Sequence, residues 1–181
     1  MTQPTIVAFF RHRADGPRVF LGTLLFSTSK QNHVVENLYA TLRRGDTIQT
    51  FSIWAYGENQ ASMTRASGLS VDHGGVFHNH HFMLPPDGSK YDFLPGEYVL
   101  DIFAQVFGER APAKIGDSLR LAISREDADA CKDEGTGMVF NWAPDGRRYH
   151  GKPLTIPEVK IPDLLQLLGK FTPLKPPAAS E

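Results

Sequence analysis

FLPGEYVLDIFAQVF, residues Phe93 to Phe107, decides the fold. Its Pro95-Gly96-Glu97 start is turn chemistry, because Pro presets φ and Gly tolerates a positive one. From Tyr98 onward successive side chains alternate. Tyr98, Leu100, Ile102, Ala104 and Val106 share one side; Val99, Asp101, Phe103, Gln105 and Phe107 share the other. The first set is apolar and suits a core. The second is mixed, as on a sheet with one wetter face. Gly108-Glu109-Arg110 ends the run, so this stretch reads as a long central strand of an antiparallel sheet.

Upstream the same signature recurs. Ile6–Phe10 and Arg18–Phe26 read as strands separated by the turn residues Ala14-Asp15-Gly16-Pro17. His33–Leu42 alternates, with Val34, Glu36, Leu38, Ala40 and Leu42 on one side. A turn at Arg44-Gly45-Asp46 joins it to Thr47–Tyr56 as a hairpin. Gly57–Ser67 is a polar loop, followed by strands at Leu69–Val71 and Val76–Leu84.

Downstream, Ala111–Gly116 reads as a connection and Leu119–Ile123 as a strand. Ser124–Lys132 is a two-turn helical piece, with Ser124 placed to cap it and acidic residues suited to its start. Met138–Trp142 and Arg147–His150 form a hairpin around Ala143-Pro-Asp-Gly146, with Gly146 expected at positive φ, and Leu154–Ile156 pairs at an edge. Pro162–Phe171 places Leu164, Leu167, Leu168 and Phe171 at helical spacing. That stripe is free to dock on its own domain, cover a sheet edge or mediate self-association.

Nine or ten short strands punctuated by turns predict an all-β fold, an antiparallel β-sandwich of Greek-key type, immunoglobulin-like or jelly-roll, with an open barrel as the alternative. The 181 residues suffice for one domain, expected over 1–171, with a Pro-rich, disordered tail at 172–181. Hydrophobic content of 41% and charged content of 22% are those of a soluble globular chain. A net charge of -1 provides no field to collect nucleic acid or an anionic membrane. A lone cysteine, Cys131, excludes an internal disulfide, and neither a signal peptide nor a membrane span is visible, so a cytoplasmic location is expected.

One cluster invites chemistry: Asp72-His73-Gly-Gly-Val-Phe-His78-Asn-His80-His81 holds four of the seven histidines. On a strand His78 and His80 share a face and His81 opposes them. Neutral imidazoles so placed can chelate a divalent transition metal, the sole cofactor the sequence suggests, with His73, His78 and His80 as ligands. Further ligands would come from Glu97, Asp101, His33 or His150. The cupin pattern, which also begins with His-x-His on a strand, is not completed: position 72 is Asp rather than Gly, and Leu84 and Pro85 stand where its Glu belongs. The plainer reading is a structural or pH-sensitive role.

Other motifs carry less. Ser27-Thr-Ser-Lys30 lacks the helix start that Ser-x-x-Lys chemistry needs. Cys131 sits among acids that raise a thiol pKa. Trp54, Tyr56, Trp142 and Tyr149 would suit a carbohydrate platform, or simply packing. With no complete catalytic set, the expectation is a non-catalytic binding module for a protein partner or for itself. A metal-dependent role is the alternative and carbohydrate binding a second one.

Overall fold

In the computed structural model, which describes residues 1–12, 16–57, 64–87, 90–132 and 135–155, the organising run is a strand, Gly96–Val106. The described elements in chain order are β1 (Ile6–His12), β2 (Gly16–Leu25), β3 (His33–Arg44), β4 (Thr47–Phe51), β5 (Ile53–Gly57), β6 (Thr64–Arg65), β7 (Leu69–Val71), β8 (Val76–Met83), β9 (Gly96–Val106), β10 (Ala113–Ile123), α1 (Arg125–Ala130), β11 (Thr136–Ala143) and β12 (Arg148–Thr155). All pairings among the described residues are antiparallel. They make two sheets and no barrel. Sheet A runs β12-β11-β1-β2-β8-β5-β6; sheet B runs β10-β9-β3-β4, with β7 beside β4 on the free side of β3.

Between the sheets lies one core. β9 contributes Tyr98, Leu100, Ile102 and Ala104, the set expected, and β3 contributes Leu38, Ala40 and Leu42 opposite them. Sheet A answers with Val7, Phe9, Val19, Leu21, Trp54, Phe82, Met138 and Phe140. Phe9 meets Phe93, Tyr98 and Phe140 at 4.8, 5.8 and 5.0 Å between ring centroids, so the centre is built from interlocked rings. The Tyr98 hydroxyl donates to the Leu94 carbonyl at 2.5 Å and pins the approach to β9.

Strict alternation fails at three places, each for a local reason. The run Thr47–Tyr56 is two strands: it leaves sheet B at Phe51 and joins sheet A at Ile53. Phe51 and Trp54 are both buried, which a single flat strand would forbid. The unpaired corner at Ser52 resets the phase, so that the inner face stays inner as the chain changes sheets. In β3 an irregularity between Val35 and Asn37 turns Val35 inward and Val34 outward, the reverse of the expected order. In β10 a second irregularity between Ile115 and Leu119, with Gly116 at φ +70°, carries the strand back through a stretch that reads as a connection.

Two smaller corrections concern turns and edges. The left-handed residue of the β11–β12 turn is Arg147, at φ 48°, and not Gly146. β12 continues through Pro153, which an edge strand tolerates because no amide is needed on its open side. The helical piece starts as expected, with the Asp127 amide donating to Ser124 Oγ at 3.0 Å. The end of the expected edge pairing at Ile156, the amphipathic segment Pro162–Phe171 and the tail 172–181 lie outside the described residues.

Candidate functional site

The histidine row is positioned by β8, which lies between β2 and β5 in the middle of sheet A. Val76 and Phe82 belong to the inter-sheet core, so alternation sends His78 and His80 inward with them. Their rings stand 6.4 Å apart and nearly perpendicular. Tyr56 lies 4.9 Å from His78, and Trp54 lies 6.0 Å from His80. His81 points the other way, where Phe20 meets it at 5.0 Å and Phe10 at 6.1 Å.

The remaining expected ligands stand apart from this row. His73 is exposed in the turn before β8, with Nδ1 3.3 Å from the Ser27 carbonyl oxygen. His33 Nε2 lies 2.9 Å from Ser29 Oγ, and Arg148 Nε donates to His150 at 3.3 Å. Asp101 accepts from Ser118 Oγ at 2.6 Å and pairs with Lys114 at 2.9 Å. Glu97 is exposed. Among the described residues no three His, Cys, Asp or Glu side chains gather as a group that could hold a metal.

One hydrogen bond sets the chemistry of His80. Trp54 Nε1 donates to His80 Nδ1 at 3.1 Å. An indole N–H is only a donor, so Nδ1 of His80 must be the acceptor. The neutral ring then carries its proton on Nε2, and the second nitrogen presents a donor instead of a lone pair. A metal at Nε2 would have to break the indole bond. His80 Nε2, His78 Nδ1 and both nitrogens of His81 are buried and have no hydrogen-bond partner among the described residues. Burial, with smaller contributions from His78 and His81, lowers the pKa of His80 to about 3. Burial, with Arg18 nearby, lowers that of His81 to about 3. Both rings are therefore neutral at any physiological pH.

The other motifs resolve into structure. Ser27 Oγ lies within hydrogen-bond distance of the Ser29 and Gln31 carbonyls, 3.0 and 3.1 Å, inside its own loop. Trp54 is buried with Tyr56 against it, whereas Trp142 meets Tyr149 on the β11–β12 hairpin. A cleft of about 610 Å3 opens beside α1, lined by Phe9, Phe10, Phe93, Met138 and Cys131 with charged groups at its rim. Four of those charges are paired, Arg11 with Asp92 and Lys132 with Asp129; the fifth is Arg125. Burial, then Asp127, pushes the Cys131 thiol up, the opposite of what a nucleophile needs.

The surface that alternation alone does not reveal is the outer face of sheet B. Tyr39 and Phe103 are register partners there, with rings stacked 5.0 Å apart and 6° from parallel. Phe107 is 72% exposed, and its amide donates to the Val34 carbonyl, which places the exposed Val34 beside it. Ile48, paired with Arg43 on β4, is 65% exposed toward the same side. On this face the apolar groups alternate with the polar pairs Asn37–Gln105 and Thr41–Asp101, and Arg43, Lys114 and Arg120 stand beside them. Asp101 loses stability as an anion through partial burial, but Ser118 and Lys114 outweigh that and hold its pKa below the usual carboxylate value. The clue in the sequence was Phe103 and Phe107 on the wetter side of β9; the cross-strand partner Tyr39 required the register.

No protein family, curated protein or solved structure matches the chain. Among the described residues no helix is long and apolar enough to cross a membrane.

Proposed function

We propose that the protein is a non-catalytic β-sandwich interaction module that binds a protein partner or a second copy of itself through the outer face of sheet B. The observation that carries this reading is the Tyr39–Phe103 stack with exposed Val34 and Phe107 beyond it, apolar groups set among the polar pairs Asn37–Gln105 and Thr41–Asp101 of a face that is ordinarily polar throughout. Stacked rings with a charged rim are the composition of an interface centre. The sheet edges support docking by the face. β6 and β7 are two and three residues long, and β4, the end strand of sheet B, is five. β10 is interrupted by its irregularity and carries exposed Lys114 and Arg120, and β12 carries Lys152 and Pro153. These are devices that discourage strand addition.

A cytoplasmic setting belongs to the same reading, supported by the single free Cys131. The bond from the Tyr98 hydroxyl to the Leu94 carbonyl resembles the tyrosine corner of immunoglobulin-like sandwiches and supports that branch of the fold expectation.

Sedimentation velocity over a wide concentration range, with affinity capture alongside, tests the proposal on wild type and on Phe103→Lys. The expected result is a dimer, or a captured protein, that the variant loses by about 30-fold or more in Kd, the weight of one interface hot spot. A wild type that stays monomeric and captures nothing the variant fails to capture overturns the reading.

A further inference from the structure

The outer face of sheet B is banded, and its bands repeat on either side of one row. That row is Tyr39 of β3 and Phe103 of β9. Two residues along the strands one way stand Asn37 and Gln105; two residues the other way stand Thr41 and Asp101. Both of these rows are polar. The end rows are apolar again. Val34 lies beside Phe107 at one end. At the other, Ile48 and Val99 flank Arg43, with Arg120 next in line.

From end to end the order is apolar, polar, aromatic, polar, apolar, and it reads the same from either end. A two-fold contact between copies requires that property, because one patch must fit itself after a half-turn. An axis lying across the strands through the Tyr39–Phe103 row sets aromatic rings on aromatic rings. It lays Thr41 and Asp101 over Asn37 and Gln105 of a second copy, and Val99 over that copy's Phe107. The charges suit the same turn. Arg43 and Arg120 stand at one end, while Glu36 is exposed at the irregularity beside Val34 at the other. The half-turn separates the arginines of the two copies and carries Arg43 toward the second copy's Glu36. Glu109 and Arg110, both exposed beyond Phe107, offset one another. A partner of one charge sign fits less well, because Arg43, Lys114 and Arg120 share the face with Asp101 and Glu97.

The size is that of a reversible dimer. From Val34 to Arg43 the face runs about 30 Å, and β10 to β4 is about 19 Å across. Taken flat, two such faces bury about 1,100 Å2, at the lower edge of specific interfaces.

We propose that the occupant of this face is a second copy of the chain, packed sheet on sheet about a two-fold axis through the Tyr39–Phe103 row, with β3 antiparallel over β3 of the second copy. This rests on the interaction reading above and narrows it to one partner and one register.

Thiol cross-linking of the full chain in a Cys131→Ser background tests it. One chain carries Arg43→Cys and another Val34→Cys, both at exposed positions. The half-turn brings position 43 over position 34 and holds the two copies of position 43 about 26 Å apart, beyond the roughly 7 Å between Cα atoms that a disulfide spans. Mixed chains are expected to join at least about ten-fold faster than either chain alone, since the dimer raises their effective concentration. Thr41→Cys with Asn37→Cys repeats the contrast if either of the first variants fails to fold. Sedimentation velocity of wild type is expected to show a dimer with a micromolar Kd. A dimer whose mixed chains join no faster than like chains overturns the inference. So does a monomer that captures another protein and loses it on Phe103→Lys, although the interaction reading then stands. A monomer that captures nothing overturns both.

Discussion

Acid should destabilise this protein in proportion to two buried imidazoles. His80 is 0% and His81 3% exposed, and each has its pKa lowered to about 3, by burial before any charge. In the unfolded chain each titrates near about 6.5. Between those values the unfolded state binds two protons that the folded state refuses, so stability is full above about pH 6.5 and falls as pH drops. Each group contributes a slope of about 1.4 kcal/mol per pH unit. At pH 4.5, two units below the unfolded value, each costs about 2.7 kcal/mol and the pair about 5.4 kcal/mol. That is a large part of the 5–15 kcal/mol that holds a typical domain together.

Urea unfolding at pH 7.5, 6.5, 5.5 and 4.5 measures the slope directly. His81→Leu should remove half of it and raise stability at neutral pH, because it takes two unpartnered nitrogens out of an apolar site between Phe10 and Phe20. His80→Asn should remove the other half while its amide oxygen still accepts from Trp54. Stability unchanged between pH 6.5 and 4.5, or a double variant with the wild-type slope, refutes the reasoning.

Three further outcomes are expected. Gly137→Ala should cost about 1–3 kcal/mol in urea unfolding, since an added Cβ would lie 2.6 Å from the Phe9 carbonyl oxygen and 2.7 Å from Phe10 Cβ; a variant as stable as wild type contradicts that packing. Arg147→Gly should gain about 1 kcal/mol by relieving a left-handed backbone at φ 48°, whereas a loss would mean that the Arg147 side chain matters more than its backbone. Saturating zinc should leave Tm unchanged, because the Trp54–His80 bond at 3.1 Å leaves Nε2 of His80 protonated; a zinc-induced rise in Tm that His80→Asn abolishes would contradict the tautomer.

Period-two patterning makes most of the fold legible in the sequence. Tyr98, Leu100, Ile102 and Ala104 face the core because a strand has only two faces and this set is the apolar one. The pattern misleads where the chain changes phase. Ser52 hides a switch between sheets, and the irregularity at Val35–Asn37 exchanges Val34 for Val35. Neither leaves a composition signal, because alternation on both sides stays intact. Ala113–Asp117 of β10 was illegible for another reason: an edge segment facing water needs no apolar side.

The histidine row was half legible. Parity correctly puts His78 and His80 on one face and His81 on the other. Parity cannot say that the shared face is the interior, nor that an indole 26 positions away fixes the proton of His80. The Tyr39–Phe103 stack was hidden for the same reason, since the two residues lie on strands far apart in the chain and meet only through register.

Hydroxyl-radical footprinting addresses the interaction reading most directly, because it reports each ring's contact with water in the free and the associated protein. Tyr39, Phe103 and Phe107 should label readily in dilute wild type and become protected on self-association or partner binding, while Phe10 and Phe20 stay protected throughout. Association that leaves Tyr39, Phe103 and Phe107 fully labelled would contradict the assignment of this face.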